Sequence, residues 1–266
     1  MRAITLIFLG TLAAAGLWAA EGDDLSQAQI DEIVQKFAAK EAEFARAREN
    51  YIYRQTVRIQ ELDTGGNTVG RWEQVSDIQF DSAGKRSERV VRAPVPSLKN
   101  ILLTPEDLED MRNVQPFVLT TRDLPKYDIR YLGKETLDEI PCYAFAVKPK
   151  SMTQGERYFS GIVWVDDRDL QIVKTYGRAV GIVKEGNEFP KFETFREQID
   201  GVYWFPTYTI AEDTLHFPDY DQKIRQVMRY EDYKQFKSTS TITFGEEVAA
   251  PKEQPAPAPP PAPTKP

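Results

Sequence analysis

The fold is decided by the stretch Tyr158-Phe159-Ser160-Gly161-Ile162-Val163-Trp164-Val165. Successive residues of a strand face opposite sides of a sheet, so Ile162 and Trp164 lie on one face and Val163 lies on the other. An antiparallel hairpin sheet usually exposes one face to water, whereas this segment carries apolar side chains on both. The stretch therefore predicts either a second layer over the sheet or a cavity lined with aromatic groups.

Strand patterns separated by turn residues run through most of the chain. Tyr51–Ile59, Thr68–Phe80 and Lys85–Ala93 form a predicted three-stranded meander, and strands resume from Tyr127 almost to Phe244. No helical stretch interrupts the second group, which excludes parallel βαβ units. We predict a mainly β (α+β) fold: a single highly curved antiparallel sheet, an unclosed half-barrel of about 10–11 strands.

Two helices are predicted beside this sheet. A long N-terminal helix extends from near Ser26 to Glu49, begins with a capping box formed by Ser26 and Gln29, and carries one apolar stripe. A membrane-surface helix is the rival interpretation. The polar face of the predicted helix carries both acidic and basic residues, which favours packing against the protein's own sheet over binding to a membrane surface. Thr104-Pro105 begins a short lid helix, expected to end near Arg112 or Asn113.

The N-terminus has the pattern of a secretory signal peptide, expected over residues 1–20. Arg2 precedes an apolar run that ends in the small residues Ala19 and Ala20. A membrane anchor is the alternative, but a run of about 15–18 apolar residues is short for one. No cysteine lies near the cleavage point, so we expect an exported, periplasmic protein without an attached lipid.

The domain organisation follows from composition. Residues 21–245 are expected to form one half-barrel domain, and residues 246–266 a disordered tail rich in Pro and Ala. The tail is interpreted as a spacer or as a segment that docks onto an aromatic groove of another envelope protein.

Charge and cysteine usage exclude several classes of function. The net charge of −7 is dispersed along the chain, which argues against a nucleic-acid partner. Cys142 is the one cysteine in the sequence, so packing alone must hold the domain together. Its strand context predicts a small buried apolar residue, and a nucleophile would need a base where the chain has only His216.

The acidic clusters do not form a recognisable active site. Residues 166–169 read Asp-Asp-Arg-Asp, which lacks the ligand alternation of a calcium loop and suits a tight turn. Glu193 and Glu197 would need carboxylate partners from other strands to act in a hydrolase. Phosphate loops, Gly-x-Ser-x-Gly and paired Cys/His ligands are absent from the sequence. We therefore predict no catalytic residue, no metal site, no cofactor and no enzymatic activity.

A set of aromatic residues in the predicted strands is the candidate ligand site. Such side chains bring large apolar area with few rotatable bonds, which suits an acyl-chain pocket and a packed core equally well. Strands that carry apolar residues on both faces, with only one long helix to cover them, favour a cavity. The cavity-lining candidates are Trp72, Phe159, Trp164, Phe195, Tyr203, Trp204, Phe205 and Tyr230.

Three segments resemble a known family. They are Gly161-Ile162-Val163-Trp164-Val165-Asp166, Leu170-Gln171-Ile172-Val173-Lys174 and Ile199-Asp200-Gly201-Val202-Tyr203-Trp204-Phe205-Pro206. The chain is similar through them to the LolA/LolB-like periplasmic lipoprotein-carrier superfamily, the outer-membrane lipoprotein-sorting type, which also includes RseB-type sensors. The resemblance implies an unclosed antiparallel barrel, helices over its open face, and an apolar cavity that shields acyl groups without a cofactor.

These observations predict an exported carrier or sensor that binds acyl chains or lipidated proteins. The alternative is a non-enzymatic envelope scaffold with a filled barrel, which docks through its Pro-rich tail.

Overall fold

The computed structural model describes residues 25–81, 84–183 and 189–236. The predicted signal peptide and tail lie outside these residues. The long helix α1 spans Gln27–Arg48, and Ser26 forms the predicted capping box with Gln29. Within the described residues, no helix is long and apolar enough to cross a membrane.

Ten strands of the described chain form one antiparallel sheet that does not close into a barrel, which confirms the predicted fold class. The strands are β1 (Tyr51–Leu62), β2 (Thr68–Phe80), β3 (Arg86–Arg92), β4 (Tyr127–Leu137), β5 (Ile140–Pro149), β6 (Tyr158–Asp166), β7 (Ile172–Val180), β8 (Phe192–Gln198), β9 (Trp204–His216) and β10 (Asp221–Gln235). Their order across the sheet is β3-β2-β1-β10-β9-β8-β7-β6-β5-β4.

One pairing joins the first and the last strand of the described residues. β1 pairs with β10 in an antiparallel ladder that extends from Tyr51 opposite Gln235 to Leu62 opposite Lys223. This ladder places the N-terminal meander beside the later hairpins, so β3 and β4 become the edges of the sheet.

The short helix ends earlier as an α-helix than predicted. Helix α2 spans Pro105–Glu109 with Thr104 as its cap, and the chain then continues as one turn of π-helix over Asp110–Val114. A single 3₁₀ turn, Leu124–Lys126, leads into β4. The π turn lets residues of this segment reach the sheet, and Met111 and Val114 are buried there.

The concave face of the sheet carries the main core. Helix α1 packs on it through Phe37, Ala38 and Phe44, and Phe37 lies 5.4 Å from the ring of Phe145. The segment after the π turn adds Phe117, whose ring stacks on Phe159 at 4.4 Å. Both covering segments are apolar toward the sheet, which explains why the strand residues beneath them are buried.

The outer face of β5–β7 is also covered, as the two-faced pattern predicts. Cys142, Ala144, Trp164 and Val173 form a buried cluster there, with Trp204 packed against it. Side chains rather than a second layer of secondary structure make this cover, so the two faces of β6 are buried in different ways.

Candidate functional site

A mostly apolar cavity of about 270 Å³ lies where the strands β1, β9 and β10 end, and we call it the apolar cavity. Three strands line the cavity, through Ile59 of β1, Leu215 of β9 and Ile224 of β10. The π turn contributes Met111 to the lining. The full lining is Ile59, Asn100, Ile101, Leu102, Leu103, Thr104, Asp107, Met111, Phe189, Pro190, Leu215, Phe217, Tyr220, Ile224 and Gln226.

A buried carboxylate holds the outer wall of the apolar cavity in place. Glu61 of β1 is fully buried, and it accepts backbone hydrogen bonds from Lys99 at 2.8 Å, Asn100 at 2.6 Å and Ile101 at 2.8 Å. Donors of this kind satisfy a carboxylate that would otherwise be costly to bury. The segment that follows β3 is therefore fixed against the sheet although it has no regular secondary structure.

The same wall is tied to β10. The side chain of Asn100 donates to Gln222 at 2.7 Å, and the hydroxyl of Tyr220 donates to the Asn100 carbonyl at 2.6 Å. These bonds place the next residues, Ile101 to Leu103, over the cavity. Leu102 is 86% exposed at the rim of the cavity.

The polar part of the cavity lies at the start of α2. Burial raises the pKa of Asp107, and the hydrogen bonds that its carboxylate accepts from the Thr104 backbone and hydroxyl oppose this rise. The Asp107 carboxylate therefore forms part of the capping box of α2. The apolar lining, rather than this carboxylate, determines which ligands the cavity suits.

The structure does not bring the eight predicted cavity residues together. Phe205 and Tyr230 line a second cavity beside the last turn of α1. Phe159 is 1% exposed within the main core, Trp72 packs near Tyr230, and Tyr203 lies 6.2 Å from the Phe44 ring. None of the eight lines the apolar cavity.

Three of the eight lie on the outer face. Trp164 donates through Nε1 to Glu135 at 2.8 Å, and the Lys174 ammonium lies 5.2 Å from the Trp164 ring. The same ammonium lies 4.9 Å from the ring of Phe195. Trp204 packs beside Trp164 in the outer cluster. A ligand role for these three would therefore use the outer face.

Sequence reasoning missed the residues of the apolar cavity because most of them belong to loops. Ile101, Leu102 and Leu103 form an apolar run directly before the Thr104 cap, outside any strand or helix. Three large apolar residues in a loop are a signal that could have been used, since loop residues are usually polar.

The centre of the concave face is filled by polar groups as well as apolar ones. The Arg196 guanidinium is 1% exposed and lies 3.0 Å from the Glu41 carboxylate of α1. It also donates to the carbonyl of Phe117. Nearby, the Gln226 amide donates to Gln115 at 2.6 Å, and the Thr194 hydroxyl donates to the Gln115 carbonyl at 2.8 Å. These bonds attach both covering segments to the sheet.

The residues with potential for chemistry lie apart from one another. Cys142 is fully buried, and burial raises the pKa of its thiol to about 11. The 166–169 cluster forms the expected turn, in which the Leu170 amide donates to the Asp166 carbonyl at 3.0 Å. Glu193 lies 3.4 Å from Lys174, whereas Glu197 accepts from Thr207. Across residues 25–81, 84–183 and 189–236, no three potential metal ligands converge.

Comparison with known proteins gives similar solved structures at low identity. A DUF1329 family protein from Desulfovibrio piger is 18% identical, with 81% of this chain and 97% of that one covered and a TM-score of 0.42. A LolA superfamily protein from Nitrosomonas europaea is 14% identical, with 77% and 93% covered and a TM-score of 0.33. A putative outer membrane lipoprotein-sorting protein domain from Vibrio parahaemolyticus is 11% identical, with 79% and 97% covered and a TM-score of 0.36.

The structure itself has the architecture that the sequence resemblance implies. Its own unclosed antiparallel sheet, with α1 over the concave face, agrees with the resemblance that the sequence segments carry. No protein-family model and no curated protein matches the chain.

Proposed function

We propose that this protein is an exported, non-enzymatic binding protein that takes one acyl chain, from a lipid or a lipidated protein, into the apolar cavity. The observation that carries this proposal is the apolar lining of a preformed space at the ends of three strands, with leucine and isoleucine side chains from those strands and from one fixed loop. Transfer of a hydrocarbon chain from water into such a space is favourable by about 0.8 kcal/mol for each buried CH₂ group.

The dimensions of the cavity restrict the ligand. Its volume of about 270 Å³ lies just below the range of about 300–1,000 Å³ that is usual for small-molecule pockets. One short chain, or the end of a longer one, suits this space. A ligand with several acyl chains would need α2 and the preceding loop to move away from the sheet.

The rim favours entry past the loop before α2. Leu102 exposes 86% of its surface there, and Tyr220 is also exposed beside it. An exposed leucine at the entrance offers an apolar contact to a chain before it reaches the interior. The side chains deeper in the cavity, Leu215 and Ile224, are buried and would contact its end.

Equilibrium dialysis of the full chain against radiolabelled lauric acid tests the proposal. We expect saturable binding of one molecule per chain. Leu102→Glu would weaken it at least tenfold, because a carboxylate at the rim disfavours both an apolar chain and a fatty-acid head. Leu215→Trp would weaken it by filling the interior. Val91→Trp is the matched control, since Val91 is 50% exposed on the edge strand β3 and does not line the cavity.

Circular dichroism and thermal unfolding of each variant separate loss of the site from loss of the fold. Leu102→Glu changes an exposed residue and should unfold at the same temperature as the wild type. The proposal is wrong if the wild type binds no lauric acid, or if folded Leu102→Glu and Leu215→Trp proteins bind it as tightly as Val91→Trp does.

A second candidate function is supported by the filled centre of the sheet. Phe37, Phe117 and Phe159 occupy the space between α1 and the strands, as expected for an envelope scaffold with a packed interior. Native mass spectrometry of the protein purified from cells distinguishes the two functions. Co-purified lipid in stoichiometric amount supports carriage, and protein free of lipid that also fails to bind lauric acid supports the scaffold. The predicted Pro-rich tail would then be the segment that docks onto another envelope protein.

A further inference from the structure

A second cavity, of about 160 Å³, lies between the last turn of α1, the π turn and the strands β1, β2, β3, β9 and β10. We call it the arginine cavity because Arg48, Arg86 and Arg112 all line it. Its other walls are mainly aromatic, with Tyr53 and Tyr233 stacked on one another at 5.0 Å. The arginine cavity and the apolar cavity share no lining residue.

Positive charge exceeds negative charge at the arginine cavity. Glu88 lies 3.0 Å from Arg86 and 3.3 Å from Arg112, so one carboxylate serves two guanidinium groups. Arg48 forms no ion pair with any residue that the structure describes, and its guanidinium lies 5.7 Å from the ring of Phe80. Glu41 and Glu49 attract Arg48 through the longer-range field, and the Glu49 carboxylate lies beside Gly84 of the cavity wall, so three guanidinium groups still face two nearby carboxylates, Glu88 and Glu49.

Two donors at this cavity have no partner. The Nε–H groups of Arg48 and Arg86 are both buried, and neither has a hydrogen-bond acceptor among residues 25–81, 84–183 and 189–236. The Arg86 side chain is held in place by bonds from its other nitrogens to Glu88 at 3.0 Å and Gln55 at 2.9 Å. Buried donors are nearly always paired in folded proteins, so these two N–H groups are available to an acceptor that enters the cavity.

We propose that the arginine cavity binds an oxyanion group, a phosphate or a carboxylate. A guanidinium presents several N–H donors in a fixed plane, which matches the oxygens of these groups and makes strong, charge-assisted hydrogen bonds. Arg48 and Arg86 supply the free donors, and Arg112 adds charge at the entrance. The rings of Tyr53, Phe80 and Tyr233 provide apolar contacts for whatever the oxyanion is attached to. This inference is independent of the acyl-chain proposal because the two cavities are separate.

Isothermal titration calorimetry of the full chain tests this site with two probes. Inorganic phosphate represents a free oxyanion, and dihexanoyl phosphatidic acid below its micelle concentration represents a lipid headgroup. We expect at least one probe to bind with a 1:1 stoichiometry and an affinity that decreases with added salt. Tighter binding of the phosphatidic acid would identify a lipid as the source, and equal or tighter binding of phosphate would identify a free anion.

Substitutions locate the binding. Arg48→Met keeps the length of the side chain and removes its charge and donors, so we expect affinity to fall at least tenfold. Arg112→Met should lower affinity severalfold, and because the Arg112 side chain is 43% exposed this variant tests the site even if Arg48→Met fails to fold. Arg46→Met is the matched control, since Arg46 is an exposed arginine two residues earlier on the same helix. Failure of the wild type to bind both probes, or unchanged affinity in folded Arg48→Met and Arg112→Met, overturns the proposal.

Discussion

Glu41 of α1 and Arg196 of β8 form an ion pair at 3.0 Å in which both side chains are almost fully withdrawn from water. Burial raises the pKa of Glu41, and the Arg196 guanidinium and the Ile172 backbone amide oppose this rise. Arg196 also donates to the carbonyl of Phe117. One side chain thus attaches both α1 and the segment after the π turn to the concave face.

Removing one partner of this pair should be costly. We expect Arg196→Met to lower the free energy of unfolding by about 3–5 kcal/mol, because it leaves the Glu41 carboxylate buried without its counter-charge. The double variant Glu41→Leu, Arg196→Met removes both charges and should lose much less than the two single variants together. Urea unfolding of the four proteins gives the comparison. Additive losses in the double variant would show that the pair is not coupled.

A close approach of two glycines makes the sheet sensitive to a single methyl group. Gly161 of β6 lies opposite Gly177 of β7, and a Cβ on Gly161 would lie 2.1 Å from the Tyr176 carbonyl oxygen and 2.9 Å from the Phe159 ring. We expect Gly161→Ala to destabilise the protein by about 1–3 kcal/mol, since backbone and a buried ring must move.

Gly65→Ala is the control for this prediction. Gly65 lies in the exposed turn between β1 and β2, where a Cβ would meet only the ends of the Asp63 and Asn67 side chains at 3.2–3.3 Å. The urea concentration at the unfolding midpoint of Gly65→Ala should stay near that of the wild type. Equal midpoints for the two variants would contradict the close packing of β6 on β7.

Asp110 of the π turn predicts a dependence of stability on pH. Its carboxylate accepts from Arg157 at 2.8 Å and 2.5 Å, yet burial raises its pKa to about 6 despite that hydrogen-bonded partner. A carboxyl with a pKa raised on folding holds its proton more tightly in the native state. Stability from this group is therefore greatest below about pH 4 and falls as the pH rises to about 6.

Comparison with Asp110→Asn isolates this effect, because the amide does not titrate. The free energy of unfolding of the wild type, relative to the variant, should fall by about 2–3 kcal/mol between pH 4 and pH 6 and then stay level. Chemical unfolding across this pH range measures it. A relative stability that rises with pH would mean that the Arg157 charge outweighs burial.

Cys142 should be unreactive in the native state. It is fully buried, and burial raises the pKa of its thiol to about 11, so the thiolate is scarce at pH 8. Reaction with Ellman's reagent should be at least about a hundredfold slower than that of free cysteine and should reach one thiol per chain in urea. Cys142→Ala provides the blank. Fast labelling of the folded protein would contradict the packing of the outer cluster.

Local structure was largely predictable from the sequence. The capping box of Ser26 and Gln29 and the Thr104 cap each depend on neighbouring residues, and the two helix starts follow from them. The predicted strand over Tyr51–Ile59 is present as β1, and its alternate residues Gln55, Val57 and Ile59 are buried. The described residues form ten strands, and about ten or eleven were expected for the chain.

The pairing of β1 with β10 depended on tertiary structure. Its partners, such as Val57 and Met228, are far apart in the chain, and no turn connects them. The same holds for the burial of Glu61 and Arg48, whose surroundings come from distant segments.

By itself, the sequence determined the helices, the strands and their hairpins, because those depend on interactions between residues close along the chain. Tertiary structure alone decided which aromatic residues fill the core and which face outward. It also placed an apolar loop against three strand ends and gathered three arginines in one cavity. The physical reason is that a side chain on a curved sheet has two available faces, and which one becomes a cavity depends on what distant segments cover.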